Sequence, residues 1–76
     1  RHAALVLHPD GTAEAEDLGS ANGSTLDGEP LRPGRPRRIA GQAELVLGGC
    51  LHLRLVAADG ALRIHRLGNR PGLAYA

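Results

Sequence analysis

Short apolar runs, separated about every ten residues by turn-forming residues, are the feature that most constrains the fold of this chain. Within residues 51–55 leucine occupies every second position, and His52 and Arg54 lie between the leucines. This period of two places alternate side chains on opposite faces of a β-strand. No segment keeps a helical apolar period over the length of a helix. The sequence therefore predicts an all-β sandwich or barrel.

Turn chemistry places the predicted strands along the chain. Asp-Gly and Gly-Gly pairs favour tight hairpins, because glycine tolerates the positive φ angles that these turns require. Predicted turns occupy residues 9–11, 27–28, 48–49 and 59–60. The main predicted strands cover residues 3–8, 12–17, 44–48, 50–56 and 62–65. Residues 31–38 contain two prolines and four arginines, and we interpret them as an exposed loop.

The length of 76 residues limits the chain to one small domain or part of one. The sequence contains no Met, and we interpret it as a piece of a longer protein. Its single cysteine, Cys50, excludes an internal disulfide, and we interpret it as a small buried residue in a reducing, cytoplasmic compartment. All nine basic residues are Arg, which fits a GC-rich bacterial genome. The sequence shows no signal peptide and no apolar run of membrane-spanning length, so we expect no membrane partner.

Composition and spacing argue against three other functions. The net charge is +1 and there is one aromatic residue, so we interpret the arginines of residues 32–38 as a solvated loop and not as a nucleic-acid surface. No two of the four histidines have the spacing of metal ligands. Glu14 and Glu16 lack a partner for acid–base catalysis, and no base is in register with Ser20 or Ser24. We therefore predict no metal, no cofactor and no enzymatic activity.

The most informative stretch is residues 17–31, which read DLGSANGSTLDGEPL. The side chain of Asn22 is both a donor and an acceptor, so it can bind the backbone of an extended peptide in a bidentate way. Gly23 allows a loop conformation that is closed to residues with a Cβ atom. Ser20 and Ser24 can hydrogen-bond the backbone of their own loop and hold its shape. The chemistry of this loop fits recognition of a partner.

The stretch resembles the forkhead-associated (FHA) domain family. Residues 20–24, SANGS, match the family's Ser-x-Asn-Gly-Thr loop with Ser24 in place of Thr, and residues 27–28 match its following Asn-Gly hairpin. Upstream, residues 1–3 match the end of the family's Ser-x-x-His motif. Downstream, residues 45–48 match its Ile-x-Leu-Gly strand, so the similarity covers Arg1 to about Val56.

The resemblance implies a fold, a function and a set of site residues. The fold would be an FHA-like antiparallel β-sandwich, incomplete at the N-terminus, over residues 1–67, with residues 68–76 as a tail or linker. The function would be recognition of phosphothreonine-containing proteins or peptides in signalling. His2 would brace the binding loops. The peptide-binding residues would be Ser20, Ala21, Asn22, Gly23 and Ser24.

Two departures from the family pattern keep a second hypothesis open. The Arg and Ser that hold the phosphate in the family would precede Arg1, and Ala21 replaces a residue that is often Thr or Ser. We therefore expect the 76 residues alone to bind phosphothreonine poorly, because charge-assisted bonds to phosphate are the strong ones. The alternative is phosphate-independent docking, or a structural or oligomerisation module. We count about six or seven strands, fewer than the family's sandwich needs, so strand exchange between chains is a further alternative.

Overall fold

The computed structural model describes residues 3–68, and this part of the chain is built from β-strands and turns without a helix. The all-β prediction is therefore confirmed. No helix long and apolar enough to cross a membrane is found among these residues. The strands are β1 (Ala3–Leu7), β2 (Ala13–Asp17), β3 (Ser24–Leu26), β4 (Glu29–Pro30), β5 (Arg37–Ile39), β6 (Gly41–Leu47), β7 (Leu51–Ala58) and β8 (Ala61–Gly68).

The strands form two antiparallel sheets. One has three strands in the order β1-β2-β5, and the other has five in the order β4-β3-β6-β7-β8. Their inner faces share one hydrophobic core, in which Ile39 from the first sheet and Leu45 and Leu55 from the second are fully buried. The two sheets therefore pack face to face, as the FHA-like sandwich prediction requires.

Strand β2 forms although alanine and glutamate are poor strand formers. It lies between β1 and β5 and pairs with both, so its backbone hydrogen bonds are satisfied on two sides. Its burial alternates, with Ala13, Ala15 and Asp17 facing inward and Glu14 and Glu16 half-buried between them. Tertiary pairing thus overrides the weak local propensity. The inward position of Asp17 has consequences for the loop that follows β2.

The Asp-Gly hairpins predicted at residues 27–28 and 59–60 are confirmed. Asp27 and Gly28 have φ angles of 50° and 84°, and Asp59 and Gly60 have φ angles of 54° and 71°. Positive φ values at both central residues are the signature of the type I′ turn, whose twist matches that of the two strands in a two-residue hairpin. These turns connect β3 to β4 and β7 to β8.

The interpretation of residues 31–38 as an exposed loop is wrong at both ends. Leu31 is 6% exposed and belongs to the core, and Arg37–Ile39 form β5, which pairs with β2. The prolines do not prevent this, because β5 begins after Pro36 and lies at the edge of its sheet. The residues between them are exposed, as predicted.

Three further expectations need correction. Cys50 is exposed and not buried, because it lies in the turn between β6 and β7. Strand β8 reaches Gly68, so this residue belongs to a strand and not to the predicted tail. The strand count of the described part is eight, above the six or seven expected, since β4 and β5 are short edge strands. His2 and the remainder of the predicted tail lie outside the described residues.

Candidate peptide-binding site

Residues 18–23, here called the Asn22 loop, carry the chain from the end of β2 in one sheet to the start of β3 in the other. They contain four of the five predicted peptide-binding residues, and the fifth, Ser24, begins β3. Ala21 and Asn22 are exposed at this loop. Gly19 and Gly23 flank them with φ angles of 85° and 78°, a region that side chains with a Cβ atom rarely adopt. The two glycines therefore let a short segment turn sharply and present Asn22 to solvent.

Asp17 supports this loop from within the sandwich. Its side chain is 3% exposed and accepts four hydrogen bonds. One carboxylate oxygen, Oδ2, accepts the backbone N–H groups of Gly19 at 2.9 Å and Ser20 at 3.1 Å. The other, Oδ1, accepts the hydroxyl groups of Ser20 and, at 2.7 Å, Ser24. The carboxylate thus joins the end of β2, the loop and the first residue of β3.

These hydrogen bonds also set the charge state of Asp17. The hydroxyl of Ser20, followed by that of Ser24, stabilises the carboxylate and lowers its pKa from 3.8 to about 2, against the opposing effect of burial. Asp17 is therefore ionised at neutral pH. A buried charge is tolerated where hydrogen bonds replace its hydration, and here both oxygens are satisfied.

The sequence prediction gave the two serines a different partner. We expected Ser20 and Ser24 to bind the backbone of their own loop, but both hydroxyls bind Asp17. Asp17 was missed as a site residue. A signal was present, because aspartate commonly accepts hydrogen bonds from residues just after it, and serines follow Asp17 at the third and seventh positions.

A second contact fixes the loop from the side. The backbone N–H of Gly48, the first residue after β6, donates to the carbonyl oxygen of Gly23 at 2.9 Å. Asn22 packs next to the same residue, since a Cβ atom on Gly48 would lie 3.9 Å from the Asn22 Cβ. Together with Asp17, this contact holds the loop at two points.

A largely apolar cavity of about 290 Å³ opens beside the loop. Asn22 forms one wall, and Leu47 and Leu51, with the Gly48 and Cys50 positions of the β6–β7 turn, form the others. The exposed thiol of Cys50 therefore lies at the same cavity as the Asn22 amide.

The structure separates the five predicted peptide-binding residues by exposure. Ala21 and Asn22 are exposed, and Ser20 and Gly23 are half-buried. Ser24 is 5% exposed, and its hydroxyl is directed to Asp17. The side chains that a peptide can reach most easily are therefore those of Ala21 and Asn22.

The family model of the FHA domain matches residues 1–48, well over half of the sequence. The chain belongs to the FHA domain family. The FHA match includes Asp17, the loop and Gly48, and ends before β7 and β8. A search of the curated proteins and a search of the solved structures each found no match. FHA domains are in general non-enzymatic interaction modules that bind phosphorylated peptides, so a protein partner is expected for this one.

Proposed function

We propose that this FHA domain recognises a phosphothreonine-containing peptide in signalling and that the loop of residues 20–24 contacts the peptide backbone. The observation that carries the proposal is the exposed Asn22 on a loop held by Asp17 and Gly48. A loop fixed before binding loses little conformational freedom when the peptide arrives. The Asn22 amide can then donate to one backbone carbonyl and accept from one N–H.

The apolar cavity beside Asn22 suggests where a peptide side chain binds. A peptide that runs past Asn22 passes over the cavity formed with Leu47 and Leu51. Apolar pockets with a few polar groups at the rim are typical of ligand sites. We propose that an aliphatic side chain of the peptide enters this cavity.

Phosphate recognition is proposed to need more than this loop. Ala21 has no hydroxyl group to offer, and the phosphate-binding Arg and Ser expected from the family would precede Arg1. Charge-assisted hydrogen bonds to phosphate contribute about 1.5–3 kcal/mol each. We therefore expect weak phosphate-dependent binding by the 76 residues alone, and stronger binding where a preceding Arg and Ser supply these bonds.

Calorimetric titration with a phosphothreonine peptide library and its unphosphorylated counterpart tests the proposal. The protein is titrated in its natural sequence context, with the variants Asn22→Ala and Gln42→Ala. Gln42 is a matched control, because it is an exposed amide near the other end of β6. We expect Asn22→Ala to weaken binding roughly 10- to 100-fold, the loss of two backbone hydrogen bonds, and Gln42→Ala to have no effect.

Alkylation of Cys50 provides a second readout, since its thiol is exposed at the same cavity. Bound peptide should slow alkylation in the wild type and in Gln42→Ala. Equal affinity for phosphorylated and unphosphorylated peptides would contradict phosphothreonine recognition. It would favour phosphate-independent docking through the same loop.

One observation favours the oligomerisation alternative. Strands β1 and β8 lie at the edges of their sheets and carry exposed apolar side chains, namely Val6, Leu7, Ile64 and Leu67. Ile64, at 52% exposed, is the largest of these exposures. Edge strands with exposed apolar residues favour pairing with another chain. Sedimentation equilibrium decides this, because a module that oligomerises through these edges forms dimers that Ile64→Lys disrupts.

A further inference from the structure

A second loop leaves the sandwich beside the candidate peptide-binding loop. The backbone N–H of Leu31 donates to the carbonyl oxygen of Ser24 at 2.9 Å, so the chain after β4 lies next to the start of β3. The loop that carries Asn22 ends immediately before Ser24. Residues 32–35 therefore emerge at the same end of the sandwich as Asn22.

Residues 32–35 form a tight and anchored turn. The N–H of Arg35 donates to the carbonyl oxygen of Arg32 at 3.0 Å, with Pro33 and Gly34 at the corners. Gly34 has a φ of 76°, which fits the turn type that favours proline followed by glycine. The N–H of Gly34 donates to Glu16 Oε2 at 2.7 Å, which ties the turn to β2.

The turn brings two arginines together without neutralising them. Arg32 and Arg35 face each other as an antiparallel bridge, an arrangement in which like charges are destabilising. Arg37 pairs with Glu29 at 2.6 Å, and Arg38 lies 3.9 Å from Asp10. Among residues 3–68, no carboxylate forms an ion pair with Arg32 or Arg35.

These arginines line a groove of about 220 Å³ together with Pro30 and Arg37. The groove runs between β4 and β5, the edge strands of the two sheets. Guanidinium groups bind phosphate and carboxylate oxygens through paired N–H donors, and they are the side chains best suited to bidentate anion recognition. An anion here would relieve the repulsion between Arg32 and Arg35.

We propose that this groove, here named the arginine groove (Pro30, Arg32, Arg35 and Arg37), binds an acidic or phosphorylated side chain of the peptide that the Asn22 loop holds. The position of the turn beside that loop supports a shared peptide. The identity of the partner rests on the proposed function, whereas anion binding by the groove does not. A peptide fits better than a nucleic acid, because the sequence has no Phe or Trp for base stacking.

Titration of the 76-residue chain with inorganic phosphate at constant ionic strength tests the groove itself. The readout is the NMR signal of each arginine Nε–H group. We expect saturable shifts at Arg32 and Arg35 and smaller ones at the exposed arginines of β8, Arg63 and Arg66. Arg37, the third arginine of the groove, reports on binding when the other two are replaced. Its saturable shift should disappear in Arg32→Gln/Arg35→Gln and persist in the matched control Arg63→Gln/Arg66→Gln.

Peptide titrations in the natural sequence context test the shared partner. The peptides carry phosphothreonine with neutral, glutamate or phosphoserine residues nearby. We expect the Arg32→Gln/Arg35→Gln variant to weaken binding of the acidic peptides roughly tenfold, the effect of exposed charge pairs, and to leave the neutral peptide unchanged. The β8 control variant should behave as wild type.

The possible outcomes are distinguishable. Phosphate shifts spread equally over all arginines would overturn the arginine groove as a site. A single-stranded oligonucleotide that needs Arg32 and Arg35 more than the acidic peptides do would overturn the peptide assignment. Saturable phosphate binding without any peptide binding would refute the proposed function and the peptide assignment, while the anion site would stand.

Discussion

Two neighbouring residues of β2, Glu16 and Asp17, support two different loops at the same end of the sandwich. Asp17 faces inward and holds the Asn22 loop through four hydrogen bonds. Glu16 is only half-buried, on the other face of the strand, and holds residues 32–35, here called the arginine turn, through one hydrogen bond to the Gly34 N–H. The alternation of a β-strand therefore assigns each carboxylate to its own loop.

Because Asp17 is buried and Glu16 is only half-buried, their hydrogen bonds should contribute differently to stability. An exposed carboxylate that loses a partner is rehydrated, so exposed interactions contribute little. A buried donor or acceptor that loses its partner cannot bind water instead, so the protein bears the full cost of removing that group from water. The Asn22 loop should therefore depend on Asp17 far more than the arginine turn depends on Glu16.

The largest expected effect comes from replacing Asp17 with its neutral isostere. Asp17→Asn removes the negative charge that strengthens all four hydrogen bonds. Its NH₂ group either opposes the backbone N–H donors of Gly19 and Ser20 or forces the serine hydroxyls to reverse and accept. We expect the melting temperature to fall by roughly 5–10 °C in Asp17→Asn and by less than about 2 °C in Glu16→Gln. Differential scanning fluorimetry of both variants measures this comparison. Equal falls in melting temperature would show that burial does not make Asp17 more important for stability than Glu16.

Acid provides a second way to weaken the hydrogen bonds that Asp17 makes to the Asn22 loop. Since hydrogen bonds lower the pKa of Asp17 from 3.8 to about 2, the unfolded chain takes up this proton before the folded chain does. The stability that Asp17 contributes is therefore present above the ordinary value and is lost as the pH falls from 3.8 to about 2. Urea unfolding of wild type and Asp17→Asn across this range should show their difference in stability narrowing. A constant difference would mean that the lowered pKa is not the source.

The parts of this molecule that could be predicted from sequence are those set by neighbouring residues. The Asp27-Gly28 and Asp59-Gly60 hairpins were predicted because positive φ is a local property of those pairs. Strand β5 was missed because its existence depends on pairing with β2, which is distant in sequence. Local propensity cannot report such a partner.

The candidate site likewise has one part that neighbouring residues predict and one part that depends on residues brought together by the fold. The Asn22 loop was proposed as the site from its own residues, because the Ser-x-Asn-Gly sequence carries the family resemblance. The anchor at Asp17 was missed because its role requires two serines of the loop and of β3 to converge on one carboxylate. The exposure of Cys50 was missed because the prediction used the general tendency of cysteine to be buried, whereas this cysteine lies in a turn.

The smallest expected effect concerns the hydrogen bond between Glu16 and the Gly34 N–H. Glu16→Ala removes the acceptor of the Gly34 N–H, which lies in an exposed turn that water can reach. We expect amide exchange at Gly34 to accelerate several-fold, while the free energy of unfolding changes by less than about 0.5 kcal/mol. Hydrogen exchange followed by NMR measures both quantities, with Glu14→Ala as the matched control on the same face of β2. A global loss of stability would place Glu16 beside Asp17 as a structural anchor. An acceleration confined to the turn would show that the two loops, although adjacent, are held independently, so that the arginine groove can loosen while the Asn22 loop keeps its shape.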